Sequence, residues 1–229
     1  SGIVTALHEI PYGEVWPIDT IAARQKMIAD TGNLEWMVVE SLPIHERIKR
    51  GEGNLDALFD NYRASMKNLA ACGIKTICYN FMPLLDWTRT TLDAPVSNGG
   101  TALRFDRTRM AVFEIFMLGR ADADYPPEII KAAELQFAKM SSDDKDRLLA
   151  SIMAGLPGAY DRYSVDTLQD ELAKYEGIDH VALRANYSRF LHEIMPTADA
   201  LGMRFCVHPD DPPRDILGLP RIVSSASDI

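Results

Sequence analysis

Long apolar runs are absent from this 229-residue sequence, and none approaches the roughly 18 residues that a membrane-spanning helix needs. Cysteine is scarce: Cys72, Cys78 and Cys206 are the only three, and none forms a CxxC pair. That pattern argues against a disulfide framework and for a reducing compartment, with each thiol expected to pack as a small buried apolar group. Positive charge is in deficit, with 24 Lys and Arg against 33 Asp and Glu, a net charge of −9 and a pI near 5.0. Such a surface repels nucleic acid and anionic membrane, so neither is an expected partner. The N-terminus starts within an apolar strand-like run, without the basic region or cleavage site of a secretory leader. GxGxxG after a strand, GxxxxGKS/T, GxSxG and HExxH are also missing, which leaves a nucleotide cofactor or a serine nucleophile unsupported. There is no internal repeat and no low-complexity tract. The expectation is a cytoplasmic globular protein of ordinary composition, 47% hydrophobic and 25% charged, with one large domain or two small ones.

What is present is an alternation of strand-like and helix-like segments. Gly2 to Leu7 reads as a strand ending at His8, and Leu34 to Val39 as one ending at Glu40. Ile74 to Tyr79 ends at Asn80, and Met203 to Val207 ends at His208. Between them, Ile18 to Ala29 and Ala182 to Leu201 read as helices, with Pro17 suited to the first turn of the former. Leu55, Leu58, Phe59, Tyr62, Met66 and Leu69 recur at helical spacing, and Gly73 stops that pattern. This order predicts right-handed βαβ units and a parallel sheet. Residues 105–177 read as mostly helical, with helix starts at Ser141 and Ser164, and so as an insertion between two strands. Thr91 to Gly100 reads as a surface loop or hairpin.

The chemistry-bearing residues follow the strands. In order they are His8; Glu40; Asn80, with Asp86, Trp87 and Arg89 close behind; and His208 with Asp210 and Asp211. In a parallel sheet these groups converge at one end, where α/β folds place their sites. Carboxylates and amides take hydroxyls, arginine takes a carboxylate, and imidazole holds a metal or moves a proton, which suits a polyhydroxylated anion. Phe205 to Val207 suits a buried strand, and Pro209-Asp210-Asp211-Pro212-Pro213 stops it, leaving His208 at the strand mouth as a candidate divalent-metal ligand. Structural roles compete at each position. His208 could be a hydrogen-bonded turn histidine, Glu40 a cap, Asp86 and Arg89 a pair, and Trp87 a core residue. His45, His180 and His192 read as surface residues.

Cys78 to Thr90 (CYNFMPLLDWTRT) resembles the signature block of D-mannonate dehydratases, a family of xylose-isomerase-like barrels. Val207 to Pro213 with Ile216 to Ser224 resembles the family's later block, and Thr5 to His8, Gly13 to Trp16 and Val39 to Glu46 are similar to its other segments. The resemblance runs in order along essentially the whole chain. It implies a (β/α)₈ TIM barrel, here incomplete, because only four strong strands are present where closure needs eight. It implies dehydration of D-mannonate to 2-keto-3-deoxy-D-gluconate in hexuronate catabolism, with Mn²⁺ or Fe²⁺ as cofactor. The family's metal-binding histidine maps onto His208. Its cysteine, second histidine and aspartate ligands come from later strands and have no counterpart before Ile229, nor has the family's opening strand before Ser1. The general acid and base are likewise expected from that later part. His8, Glu40, Asn80, Asp86 and Arg89 are then candidate substrate-binding groups, and Asp210 and Asp211 would orient His208 or fix the turn. A natural chain of this extent would expose two raw sheet edges and be a poor monomer, so the sequence reads as the central part of a longer enzyme, and a homo-oligomer is expected. The alternatives are an isomerase or epimerase on the same barrel, or an inactive fragment.

Overall fold

The computed structural model of the chain describes residues 1–120, 123–154 and 164–228. Strand β1 spans Gly2–Thr5, shorter than its apolar run, and Ala6 and Leu7 continue beyond it fully buried. Helix α1 (Ile18–Asp30) starts behind Pro17 and closes at Thr31, whose hydroxyl donates to Ile28 O at 2.7 Å. Strand β2 (Glu35–Val39) leads through a loop into α2 (Glu46–Arg50), a single turn closed by Gly51 in the left-handed region at φ 65°. Helix α3 (Asp56–Ala71) buries Phe59, Tyr62, Met66 and Leu69 and stops before Gly73, which also has positive φ. Its polar side has a use that the sequence does not announce. Asn61, Ser65 and Asn68 recur at helical spacing and bond Gly13 O, Trp16 N and Trp16 O at 2.8, 3.0 and 2.8 Å, pinning the Gly13–Trp16 loop.

Strand β3 (Thr76–Tyr79) follows, and then β4 (Thr91–Pro95) and β5 (Thr101–Arg104), the antiparallel hairpin expected near residues 91–100. Helix α4 (Arg107–Ala111) runs on as a π-helical turn, Val112–Met117. Helices α5 (Pro127–Phe137), α6 (Ser142–Met153) and α7 (Val165–Ala173) complete this passage. Ser141 and Asp144 form a reciprocal capping box on α6, and Ser164 caps α7, so both expected helix starts are seen. Helix α8 (His180–Leu201) begins two residues earlier than its apolar pattern, with Asp179 as cap and His180 as first residue. Pro196 interrupts its hydrogen bonding, and Arg63 of α3 ties that stretch down through Glu193 O at 3.1 Å and Glu193 Oε2 at 3.0 Å. Strand β6 (Arg204–Val207) ends the regular structure apart from a short 3₁₀ turn at Ala226–Asp228.

The chain forms two compact units. The first comprises Ser1–Pro83, Ile178–Asp210 and Ile222–Ile229, and the second Leu84–Gly177 with Asp211–Arg221. In the first, β1, β2, β3 and β6 form a parallel sheet in that order, the α/β class the sequence predicts, with four of a barrel's eight strands among the described residues. One sheet face, carrying Val39, Ile77 and Tyr79, joins α3 and α8 residues in the main core. The other face holds Val4 and Met37 at 58% and 56% exposure. Here the cysteine expectation fails. Cys78 and Cys206 are register partners on the less covered face, where Cys206 is exposed and Cys78 half-buried, and Cys72 is half-buried at the end of α3. Strand alternation turns both strand thiols away from the helices. The second unit has its own core around Met110, Phe113, Leu148, Ile152 and Leu168.

His45 is another departure, since it is half-buried rather than on the surface and caps α2 by accepting from Arg47 N at 3.1 Å through Nδ1. Burial lowers its pKa from the ordinary 6.5. Because the folded pKa is depressed, the unfolded chain takes up the proton first. The cap's contribution is present above about pH 6.5 and is lost as pH falls through the folded value. His45→Asn keeps a capping acceptor that does not titrate. The stability gap between wild type and this variant, from urea midpoints, is expected to move in the variant's favour between pH 7 and pH 5. A gap independent of pH would remove the cap from the pH response.

Candidate active site

In the first unit, the residues after the four parallel strands lie at one end of the sheet. His8 is half-buried in the turn after β1, and Asn80 follows β3 at 8% exposure. Glu40 follows β2 and His208 follows β6, the two neighbours of β3. They meet across its end: His208 Nε2 lies 3.0 Å from Glu40 O and 3.6 Å from Glu40 Oε1. Backbone bonds from Glu40 N to Thr5 O at 2.9 Å and from His208 N to Tyr79 O at 2.7 Å extend the ladders and hold both residues in place. Both side chains keep more than a third of their surface exposed, at 38% for Glu40 and 40% for His208. They therefore remain open to a ligand.

Asp210 is buried and turned the other way. Its Oδ2 accepts from Val223 N at 2.6 Å and Ser224 Oγ at 2.9 Å, while its own N–H donates to Val223 O at 2.9 Å. This carboxylate fastens the turn after His208 to the segment that follows it. A residue that sequence reading passed over, Lys49, is 2% exposed and donates to Glu46 Oε1 and Met82 O, both at 2.7 Å. It holds the loop that leaves Asn80. Lying in the basic run Arg47-Ile48-Lys49-Arg50, it carries no local sign of burial.

In the second unit the block continues as Leu84 to Thr90. Arg89 takes Asp211 as its ion partner, with Nη2 to Oδ2 at 2.6 Å. Its guanidinium carbon lies 5.3 Å from the centroid of the Trp87 ring, which is half-buried, and Nη1 donates to Thr88 O at 2.9 Å. Three contacts thus set the direction of one guanidinium, and its fork already engages one carboxylate, that of Asp211. Asp86 is 7% exposed, and its carbonyl accepts from Arg221 Nη1 at 3.4 Å. Among the described residues, the buried Thr88 hydroxyl meets no hydrogen-bond partner.

The sequence profile of the family described as D-mannonate dehydratase (UxuA) matches residues 1–229. This chain belongs to the D-mannonate dehydratase family. It is 50% identical to the mannonate dehydratase of Marinomonas sp. (strain MWYL1) and 48% identical to that of Chromohalobacter salexigens, each match covering 100% of this chain and 59% of the relative. The crystal structure of mannonate dehydratase from Streptococcus suis serotype 2 superposes with a TM-score of 0.69 at 33% identity, covering 100% of this chain and 52% of that one. The chain therefore spans about three fifths of the length of the curated family members it matches. No helix among the described residues is long and apolar enough to cross a membrane.

A divalent metal of the family requires several His, Cys, Asp or Glu donors held together. Imidazole and carboxylate, as at His208 and Glu40, are donor types that a divalent ion takes, with Nδ1 the ring nitrogen left for it, since His208 Nε2 is bonded to the Glu40 carbonyl. Among the described residues no third His, Cys, Asp or Glu joins them in a group able to hold an ion. Asp210 binds Val223 N and the Ser224 hydroxyl through its carboxylate, and Asp211 pairs with Arg89.

Proposed function

We propose that the protein to which this chain belongs dehydrates D-mannonate to 2-keto-3-deoxy-D-gluconate, as a cytoplasmic hydro-lyase of hexuronate catabolism. The observation that carries this reading is the unbroken family match over residues 1–229, with its two most specific blocks at the ends of β3 and β6. In this reading His208 supplies one ligand to Mn²⁺ or Fe²⁺, and the remaining ligands belong to the part of the family's length beyond this chain. When bound, such an ion supplies positive charge to a carboxylate whose neighbouring carbon loses a proton. Arg89 takes the substrate carboxylate, and His8, Glu40, Asn80 and Asp86 take its hydroxyls. Asp210 and Asp211 fix the turn that presents His208. The proton donor and acceptor come largely from that same further part. We read residues 105–177 as an insertion within a single partial barrel domain over residues 1–229. Assembly as a homo-oligomer belongs to the same reading.

The test is turnover of D-mannonate by the full-length protein with Mn²⁺ or Fe²⁺, read as formation of a 2-keto-3-deoxy acid. Chelation is expected to abolish the product, and returning the ion to restore it. A product of unchanged mass would place the protein among isomerases or epimerases. Full activity after exhaustive chelation would end the metal assignment.

A further inference from the structure

We propose that Arg221 is a positioning residue, which sets the Asp86–Arg89 segment for substrate without touching substrate itself. The inference rests on the reading that Asp86 and Arg89 bind the sugar acid. Arg221 is 3% exposed, and its guanidinium faces main chain: Nη2 donates to Leu85 O at 2.9 Å and Nη1 to Asp86 O at 3.4 Å. A planar fork can hold two successive carbonyls at once, which a lysine ammonium on a flexible stem does less well.

The segment it grips needs holding. Leu84 immediately precedes it at φ 55°, a left-handed conformation that costs a residue with a side chain and persists only where the surroundings enforce it. The return segment Asp211–Arg221 provides the grip at two points. Arg221 holds Leu85 and Asp86, while Asp211 holds Thr88 and Arg89, its carbonyl accepting from Thr88 N at 3.0 Å and its carboxylate from Arg89 at 2.6 Å.

The segment carrying Arg221 is itself built for the purpose. Its turn, Ile216 to Leu219, places both Leu217 and Gly218 at positive φ, 57° and 71°. Arg120 Nη1 donates to Leu217 O at 2.7 Å. The Arg120 guanidinium lies in the space that a Cβ on Gly218 would fill, so a side chain there would displace that arginine as well as strain the backbone. Beyond the turn, Arg221 N donates to Asp215 Oδ1 at 2.9 Å, fixing the start of the side chain. Arg120 thus steadies the turn that precedes Arg221, and Arg221 alone grips the carbonyls of two residues in the family's signature block.

The test uses the full-length protein, with Arg221→Met and Arg221→Lys. Positioning predicts a rise in KM for D-mannonate of about tenfold or more in Arg221→Met, and a smaller rise in Arg221→Lys, which keeps the charge and one carbonyl contact. It also predicts faster amide exchange in the 84–90 peptide of both variants, because the Thr88 N–H to Asp211 bond loosens with its neighbours. A purely structural role would lower the melting temperature but leave KM and the exchange of that peptide unchanged in the folded enzyme. Should Arg221→Met fail to fold, Arg221→Lys carries the same comparison. KM within about twofold of wild type, with unaltered exchange at 84–90, would overturn the proposal. If wild type does not turn over D-mannonate, the proposed function falls, while the exchange measurement still decides whether Arg221 holds the segment.

Discussion

Replacing His208 by alanine in the full-length protein is expected to lower turnover roughly a thousandfold or more and to strip the bound divalent ion. The expectation rests on the proposed ligand role and on the position of the imidazole, part-exposed at the mouth of β6 beside the Glu40 carboxylate. Stability without metal should change little. The variant loses one contact, between Nε2 and Glu40 O at 3.0 Å, and such a bond contributes about 1 kcal/mol net. The competing role, a histidine whose only task is to tie the ends of β2 and β6 together, predicts the opposite pairing: full metal content, near-normal turnover and a measurable loss of stability. Metal stoichiometry and the melting temperature of the apo form, taken on the same variant, separate the two. Glu40→Gln adds a useful comparison, since it leaves the backbone carbonyl bond to His208 intact while removing the neighbouring charge.

The second large effect lies in the core of the first unit. Phe190→Ala is expected to destabilise the fold by about 3–5 kcal/mol, the usual cost of truncating a fully buried aromatic side chain. Phe190 has no solvent exposure, and its ring meets three others. It lies edge-on to Tyr62 at 5.2 Å between centroids, 5.7 Å from Tyr79 and 5.8 Å from Phe81. These rings join α8 to α3, to β3 and to the start of the signature block. The cavity would therefore open beside Asn80's strand and not in a remote corner. Phe190→Leu should recover much of the loss by refilling most of the volume. Denaturant midpoints at constant slope are the measurement, and a loss below about 1 kcal/mol for Phe190→Ala would mean that the neighbouring rings collapse into the space.

The two sites differ in how visible they are in sequence. His208 announces itself because three prolines and two aspartates follow an apolar run, and that chemistry ends a strand whatever surrounds it. Phe190 sits in a long amphipathic pattern in which every third or fourth residue is apolar, and nothing local ranks it above Leu183 or Ile194. Arg89 is legible as a cation placed just after a strand, but its partner is not. Asp86, three residues away, is the obvious candidate in the sequence, and the structure gives Arg89 to Asp211 instead. Arg221 and Lys49 were not legible as buried cations at all. Their task is to satisfy backbone carbonyls far along the chain, and carbonyls have no sequence signature.

By itself, the sequence determined the order of strands and helices, the parallel character of the sheet, the helix starts at Ser141 and Ser164, and the placement of His8, Glu40, Asn80 and His208 after strands. It determined these because periodicity, capping and chain breaking depend on residues a few positions apart. Tertiary structure alone decided that β6 lies beside β3, which brings His208 to Glu40, and that Asp211 and Arg221 close on the segment from Leu85 to Arg89. It also decided that Cys78 and Cys206 share the less covered face of the sheet and that His45 is a half-buried cap. Each of these depends on which surface another part of the chain covers. Hydrogen-bond partners and burial are set across the whole fold, where every buried donor and carbonyl must find a mate, and local composition holds no record of that pairing.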